Sequence, residues 1–218
     1  IAPADEPLLE EKFASLEGRA VNEVLKTIQE NVPLLSHMSA LQFREFMIDS
    51  TIHRVQKEEV IFLRNDYTNS VYSIVEGSVS ALINPDDESE RVKLKKGSFF
   101  GEMGLIAGRR RTATIVANED SFLVETPRRA MLRLINSVPG SKKVLDTAAI
   151  YRQIQTHLAP SIEKELLKDI VETATVESLS AGDILINQGD DADSVFLIRS
   201  GSFTVSSLIG GRDVVLSY

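Results

Sequence analysis

The segment 99–114 concentrates the residue types that can hold an anion. It reads FFGEMGLIAGRRRTAT, with two glycines around an acidic residue, a short apolar stretch and then three arginines. Gly101 and Gly104 let the backbone approach a ligand closely, and a short helix over 102–107 would direct free N–H groups outward from its first turn. A guanidinium reaching back to this place would bind phosphate oxygens through two N–H groups. The spacing therefore predicts an anion site within 100–113.

Glu102 is unexpected in a site that binds an anion alone. Its charge would repel a phosphate, unless the carboxylate accepts a hydrogen bond from a hydroxyl group of the same ligand. A sugar phosphate would satisfy both side chains, because the arginine would neutralise the phosphate. The arginine run also fits a solvent-exposed loop, and we keep that interpretation for Arg109 and Arg110. RRRT resembles a phosphorylation site at Thr112 as well, but the anion pocket explains more of the segment.

The composition excludes several other kinds of chemistry. Cysteine is absent, so disulfides and thiolate catalysis are excluded, and the histidines at 37, 53 and 157 lack metal-ligand spacing. A formal charge of −8 makes the chain a poor general partner for DNA or an anionic membrane. We find no apolar run of the roughly 20 residues that a transmembrane helix needs, and no hydrolase or nucleotide-triphosphate motif. We therefore expect a non-enzyme with no metal and no cofactor.

Short β-strands must position the segment, because β-branched runs alternate with turn signals through the middle of the chain. We predict strands at Val60–Leu63, Val71–Val75, Val79–Ile83, Val92–Leu94, Ala113–Val116 and Phe122–Val124. Helical periodicity precedes them over 5–30 and after a capping box of Ser39 and Gln42. It returns over 127–158, where Thr126 is the expected N-cap. The pattern indicates an α+β protein in which the strands form a sandwich or a barrel with helices on either side in the sequence.

The strand pattern returns after residue 175 as an internal repeat. VIFLRNDYTNSVYSIVEGSVS at 60–80 aligns with ILINQGDDADSVFLIRSGSFT at 184–204, and Gly77 and Gly201 fall at matching turns. The repeat predicts a second, truncated copy of the first fold.

These patterns divide the chain into three parts. We predict an N-terminal helical segment at 1–30, a complete domain at 31–158, and at 159–218 the start of a second domain that lacks the counterpart of 100–113. Because the chain begins with Ile1 and has no signal-like segment, we expect a piece of a longer, cytoplasmic protein.

At 100–113 the chain resembles the cyclic nucleotide-binding domains. Their phosphate-binding cassette runs Phe-Gly-Glu-x-(Ala/Gly)-Leu, a short spacer and Arg-(Ala/Ser/Thr)-Ala, and this sequence supplies FGEMGL and RTA in that order. The resemblance implies a jelly-roll-like β-roll. It also implies that Glu102 binds a ribose 2′-hydroxyl, that Arg111 binds the cyclic phosphate, and that backbone amides near Met103, Gly104 and Ala113 complete the cage. The implied site comprises Phe100, Gly101, Glu102, Met103, Gly104, Arg111, Thr112 and Ala113.

The match to this family has departures. Arg110 stands where the family often has proline, and Gly104 replaces the commoner alanine, but both changes are tolerable. The order of helices and rolls resembles the tandem arrangement in regulatory subunits of cAMP-dependent protein kinase. Residues 1–30 lack the Arg-Arg inhibitory stretch of those subunits.

The resemblance implies a sensor that couples cyclic nucleotide binding to helix rearrangement. We expect cAMP to be favoured over cGMP, and we expect control of a partner or fused effector, such as a kinase catalytic subunit. Tyr151 would lie on the helix that covers the pocket, where it either stacks on the base or packs in the core.

Two other functions use a similar arrangement of strands. A transcription regulator of the catabolite-activator type is the main alternative, but it needs a helix-turn-helix after the long helix. A cupin-like enzyme needs clustered histidines in the roll, and these are missing.

Overall fold

The computed structural model describes residues 21–67, 69–83, 91–107, 110–159, 162–191 and 193–217. They belong to two compact units, Ile1–Arg152 and Gln153–Tyr218. Residues 5–20 of the helix predicted over 5–30 lie outside the described residues, as does Arg109.

The first unit contains five helices and eight strands among its described residues. In chain order they are α1 Val21–Asn31, a 3₁₀ turn Pro33–Leu35, α2 Ala40–Asp49, β1 Thr51–Val55, β2 Val60–Phe62, β3 Ser70–Glu76, β4 Ser78–Leu82, β5 Arg91–Lys95, β6 Phe99–Phe100, α3 Glu102–Ala107, β7 Thr114–Ala117, β8 Ser121–Pro127, α4 Arg128–Ser137 and α5 Ser141–Gln153, which ends at the boundary of the unit. The six predicted strands are all present, within three residues of their expected ends.

The strands form two antiparallel sheets that enclose an apolar interior. One sheet has the order β1-β8-β3-β6 and the other β2-β7-β4-β5. Side chains from both sheets fill the space between them, among them Phe62, Tyr72, Ile74, Phe100 and Leu123. The predicted antiparallel β-roll with flanking helices is therefore confirmed.

A second apolar core lies on the outer face of the first sheet. It combines the helices with the outward side chains of β3 and β8, of which Val71, Val75 and Val124 are fully buried. Because successive residues of a strand face opposite sides, β3 is buried on both faces.

Of the two predicted helix caps, one forms and the other does not. The capping box at α2 forms as predicted, because Ser39 and Gln42 exchange side-chain-to-backbone hydrogen bonds. The predicted N-cap at Thr126 is wrong, since β8 continues to Pro127, which is itself the N-cap of α4. Thr126 is buried and its hydroxyl bonds the hydroxyl of Ser50 at 3.2 Å. Strand pairing therefore outweighs a local capping preference here.

The second unit contains less regular structure than the repeat predicts. Beyond a π-helical turn at Ile154–Leu158 it has the helix α6 Lys164–Thr173 and a hairpin of β9 Val205–Ile209 with β10 Arg212–Ser217. The described residues of 184–204 form no strand. No strand of the described second unit lies beside them, and an extended segment without a hydrogen-bonded neighbour has no ladder to join.

A turn of the repeat nevertheless forms in both units. In the first unit the N–H of Leu63 donates to the carboxylate of Asp66 at 2.9 Å. At the matching positions of the second unit, the N–H of Asn187 donates to the carboxylate of Asp190 at 2.8 Å. The repeat is thus visible in local backbone structure, although the second copy of the fold remains a prediction.

Candidate functional site

Arg111 lies inside the β-roll and is held by two backbone carbonyls. In the sequence Arg111 lies between α3 and β7, and the residue is only 3% exposed. Nη1 donates to the carbonyl of Gly101 at 2.9 Å, and Nη2 donates to the carbonyl of Ser70 at 2.8 Å. The guanidinium also lies over the ring of Phe62, 4.1 Å from its centroid. Because a guanidinium is planar, two anchored nitrogens fix the orientation of the whole group.

The Nε atom of Arg111 is buried and has no hydrogen-bond partner among the described residues. Burial lowers the pKa of Arg111 from its usual value, whereas the nearby carboxylates of Glu125 and Glu102 oppose this shift. A buried cation with a free N–H edge attracts an anion, because a charge-assisted hydrogen bond there recovers part of the lost hydration.

The turn after β2 fixes the backbone of Arg111. The N–H of Asn65 donates to the carbonyl of Arg111 at 2.9 Å, and the N–H of Arg111 donates to the carbonyl of Asp66 at 3.0 Å. Asn65 has a φ of 75°, a conformation that asparagine tolerates better than most residues. The polar turn of the repeat therefore positions the cassette.

Gly101 is required by the position of the Arg111 guanidinium. Its φ is +88°, and a Cβ atom there would lie 2.3 Å from Nη1 of Arg111. Both the backbone conformation and the close approach exclude a side chain. The sequence analysis gave a different reason for this glycine, the close approach of a ligand to the backbone, and that reason stays a prediction.

Glu102 is fully buried at the start of α3. Its Oε2 atom forms an ion pair with Arg152 of α5, and its Oε1 atom has no hydrogen-bond partner among the described residues. The carboxylate thus keeps one free acceptor atom, and its charge acts to raise the pKa of Arg111, whose Nε is a free donor.

Arg152 is a site residue that the sequence analysis missed. Besides pairing with Glu102, it donates to the carbonyl of Phe99 and lies over the Phe99 ring, 5.3 Å from the centroid. Fifty positions separate it from Glu102, and no motif connects them. Only the packing of α5 against the roll brings the two together.

The other predicted site residues occupy different environments. Phe100 is buried and stacks on Tyr72, with ring centroids 5.2 Å apart. Gly104 and Ala113 are also buried, and Met103 is half-buried. Thr112 is exposed beside Arg111.

Tyr151 and Arg110 lie at the edge of the site. Tyr151 is half-buried on α5, directly before Arg152. Arg110 is exposed, as expected, and its guanidinium lies over the ring of Tyr67 at 3.9 Å. It also donates to the carbonyl of Asn65 at 3.1 Å, so it stabilises the neighbouring turn from the solvent-exposed side.

A second polar cluster that the sequence analysis missed lies behind Arg111. Nη2 of Arg111 approaches the Ser70 hydroxyl at 3.3 Å, and His53 bonds the carboxylate of Glu125 at 2.8 Å. Burial raises the pKa of Glu125, but hydrogen bonds from Ser70 and His53 outweigh it and hold the pKa below its usual value. No sequence signal identifies this cluster, because it depends on the register of β1, β3 and β8.

Within the described ranges, no group of three or more His, Cys, Asp or Glu side chains is placed to hold a metal ion. No helix in the same ranges is long and apolar enough to cross a membrane.

Comparison with known proteins shows what the roll is similar to. The family model of the cyclic nucleotide-binding domain matches residues 52–138, which include the cassette and strands β2–β8. Cyclic nucleotide-gated channel beta-1 of Homo sapiens is 35% identical over 118 residues, which cover 50% of this chain and 9% of the channel. A cAMP-dependent protein kinase regulatory subunit of Hypocrea atroviridis is 26% identical over 169 residues, which cover 72% of this chain and 35% of that subunit. The chain therefore spans about a third or less of the length of these relatives.

A solved structure agrees with the fold. PKAR CBD2 bound to Sp-2Cl-cAMPS aligns with a TM-score of 0.52 at 17% identity, covering 67% of this chain and 94% of that chain. Residues 52–138, which hold the roll and the cassette, therefore match the family model of the cyclic nucleotide-binding domain.

Proposed function

We propose that the domain at 31–158 binds a cyclic nucleotide, cAMP in preference to cGMP, with Arg111 on the cyclic phosphate and Glu102 on the ribose 2′-hydroxyl. The observation that carries the proposal is a pair of buried atoms without hydrogen-bond partners in the described structure, Nε of Arg111 and Oε1 of Glu102. One is a donor and the other an acceptor. Each unpaired buried group costs roughly 1–3 kcal/mol, so a ligand with an anionic oxygen and a hydroxyl would be stabilised by satisfying both.

The remaining cassette residues have proposed roles as well. Backbone amides near Met103, Gly104 and Ala113 would complete the phosphate cage, and Gly101 and Phe100 keep the cassette in place. Thr112 is exposed next to Arg111 and could contact the base.

A calorimetric titration of the chain with cAMP and cGMP tests the binding proposal. Several converging charge-assisted hydrogen bonds of about 1.5–3 kcal/mol each predict a Kd in the micromolar range or below for cAMP. We expect weaker binding of cGMP. No saturable binding of either nucleotide at high micromolar concentration would overturn the proposal.

The role of Glu102 has its own test, in which the ligand is altered instead of the protein. The wild-type chain is expected to bind 2′-deoxy-cAMP about tenfold more weakly than cAMP, because the deoxy sugar leaves the buried carboxylate unpaired. The Glu102→Met variant should lose this discrimination, whatever its absolute affinity. A wild-type chain that binds both ligands equally well would contradict the assignment.

We further propose that binding is coupled to α5 and through it to an effector. The ion pair of Glu102 with Arg152 joins the cassette to that helix, so a ligand that engages the carboxylate competes with or reorients the contact. Amide hydrogen exchange over 141–152 should therefore change on addition of cAMP. Unchanged exchange at saturating ligand would contradict the coupling.

We also propose what the effector is. A kinase catalytic subunit or a fused domain would fit, and the matched turns at Asp66 and Asp190 support the start of a second domain at 159–218. Tyr151 is the proposed base cap. We propose a cytoplasmic binding module rather than an enzyme.

The alternative, a regulator of the catabolite-activator type, requires a helix-turn-helix after α5. The described residues there hold α6 and the hairpin of β9 and β10 instead. Salt-dependent binding to duplex DNA would revive this alternative.

A further inference from the structure

The turn between β2 and β3 exposes side chains of three different kinds. Leu63 is 54% exposed and Tyr67 is 74% exposed. Arg64, between them in the sequence, is also exposed, and its Nη1 atom donates to the carbonyl of Ile83 at 2.8 Å. Single exposed apolar residues are common on protein surfaces, so exposure alone assigns these residues no role. The internal repeat shows whether the turn itself needs them.

The turn has the same backbone in both units. Its closing aspartate, Asp66 in the first unit and Asp190 in the second, accepts a hydrogen bond from the N–H three residues earlier. The N–H of each aspartate donates in return to the carbonyl of that earlier residue, at 3.2 Å in the first unit and 3.1 Å in the second. The residue before the aspartate has a positive φ in each, 75° at Asn65 and 100° at Gly189. These shared features fix the local fold of the turn.

The exposed side chains of the two turns differ in chemistry. Leu63, Arg64 and Tyr67 in the first unit correspond to Asn187, Gln188 and Asp191 in the second. An apolar, a cationic and an aromatic side chain are thus replaced by polar or acidic ones in a turn that still closes. Because the second turn forms without them, these three side chains are not required to fold the turn, and their chemistry calls for another explanation.

Arg110 enlarges this surface and orders it. Its guanidinium lies over the Tyr67 ring at 3.9 Å and donates to the carbonyl of Asn65 at 3.1 Å, yet both side chains stay exposed. Side chains that are already held in place lose less freedom when a partner binds. We call the four residues Leu63, Arg64, Tyr67 and Arg110 the turn surface.

We propose that the turn surface binds an acidic segment of a partner protein, whose carboxylates meet Arg64 and Arg110 and whose apolar side chain packs on Leu63 and Tyr67. Arginine and tyrosine are enriched in protein interfaces, and the two cations stand on a chain with a formal charge of −8. A second copy of the chain fits less well, because a two-fold contact of this surface with itself would place arginine against arginine.

The surface does not depend on nucleotide binding. Only the identification of its partner with the effector rests on the proposed function. That identification is supported by the two backbone hydrogen bonds between the turn and Arg111, which join the surface to the cassette.

Fluorescence anisotropy with a labelled synthetic peptide tests the proposal. The probe is a short glutamate-rich peptide with a leucine and a phenylalanine at its centre, and its control is the same peptide with both central residues replaced by glycine. We expect the wild-type chain to bind the apolar peptide about tenfold more tightly than the glycine peptide, because Leu63 and Tyr67 contact the central residues. Equal affinities for the two peptides, or no saturable binding of either at millimolar concentration, would overturn the proposal.

The second unit supplies the variant. Leu63→Asn/Arg64→Gln/Tyr67→Asp gives the first turn the exposed side chains of the second, and it should weaken binding of the apolar peptide by about tenfold or more. Leu63→Asn alone keeps every charge in place and should weaken it by about threefold. Leu41→Asn/Lys142→Gln, which removes an exposed leucine and an exposed lysine elsewhere, is the matched control and should bind like wild type. Unchanged binding in Leu63→Asn would reduce the surface to general charge attraction and overturn the proposal.

Other occupants have separate readouts. A dimer of the wild-type chain in sedimentation velocity that dissociates in the triple variant would assign the surface to a second copy, and so overturn the proposal. Binding to vesicles that contain phosphatidylserine, if lost in the triple variant, would assign it to a membrane and overturn it as well.

A cAMP titration separates this proposal from the proposed function. Asn65 and Asp66 are unchanged in the triple variant, so its cAMP Kd should stay within about twofold of the wild-type value, as expected for an intact turn. A wild-type chain that binds the apolar peptide in the expected way but does not bind cAMP would support the turn surface and refute only the proposed function.

Discussion

Residues 60–80 and 184–204 carry nearly the same sequence pattern, but only the first set forms a sheet. Ile74 of β3 is fully buried, whereas its counterpart Ile198 is 45% exposed. The turns, in contrast, agree, because Gly77 has a φ of 84° and Gly201 a φ of 86°. A turn is determined by a few adjacent residues, and a strand by the strands beside it.

The partners of β3 explain this difference. In the first unit β3 lies between β8 and β6, and β8 follows it by more than forty residues. In the described part of the second unit, β9 and β10 pair with each other and leave 194–200 without a neighbouring strand. The same apolar pattern therefore produces a buried strand in one unit and an exposed segment in the other.

The largest expected contrast comes from removing the matched isoleucines. Ile74→Ala should destabilise the first unit by about 2–5 kcal/mol, because it leaves a cavity in a closed core. Ile198→Ala should change the free energy of unfolding by less than about 0.5 kcal/mol. Chemical denaturation followed by circular dichroism measures both. Similar losses in the two variants would mean that 184–204 is packed like its counterpart.

The matched glycines should give a smaller contrast. A Cβ atom at Gly77 would lie 2.3 Å from Oγ of Ser121, whereas one at Gly201 would meet nothing within 4 Å. Both positions have a positive φ, so each alanine is strained by about 1 kcal/mol or more, and only Gly77→Ala adds a clash. We expect Gly77→Ala to cost about 2–3 kcal/mol and Gly201→Ala about 1 kcal/mol. Thermal unfolding of the two variants would contradict this order if Gly201→Ala were the more destabilised.

The smallest expected effect is a pH dependence that belongs to the first unit. Burial raises the pKa of Glu125, but hydrogen bonds from Ser70 and His53 lower it more, so the folded protein holds this proton less tightly than the unfolded chain. Stability from this group is therefore present above the ordinary carboxyl pKa and is lost as the pH falls through the lowered value.

The variant Glu125→Gln should flatten the acid limb of a plot of unfolding midpoint against pH, and Glu45→Gln should leave it in place. An unchanged acid limb in Glu125→Gln would show that other carboxylates determine it.

The sequence alone identified the part of the site that is contiguous. Gly101, Glu102 and Arg111 stand in one ordered cassette, and the structure buries the side chains of Glu102 and Arg111, while their roles in binding stay predictions. The strands of the first unit were also predictable, because alternating apolar residues and turn signals bound them.

The contacts that close the site could not be predicted. Arg152 reaches Glu102 only because α5 packs on the roll, and Tyr72 lies opposite Glu125 only through the register of β3 with β8. Pairing decides such contacts, as it decides that Thr126 belongs to a strand and not to a cap. A sequence pattern records which residues can pair, but not which partners they meet.

A titration of three proteins with cAMP tests the central claim most directly. Each of the variants Arg111→Lys and Arg110→Lys replaces one arginine of the wild-type chain by lysine. Of these two arginines, Arg111 is buried in the roll and Arg110 is exposed. Lysine cannot reproduce a planar donor fixed at two nitrogens, so Arg111→Lys should weaken binding by about tenfold or more, and Arg110→Lys by less than about twofold. Equal affinities of wild type and Arg111→Lys would contradict the assignment of this residue to the phosphate.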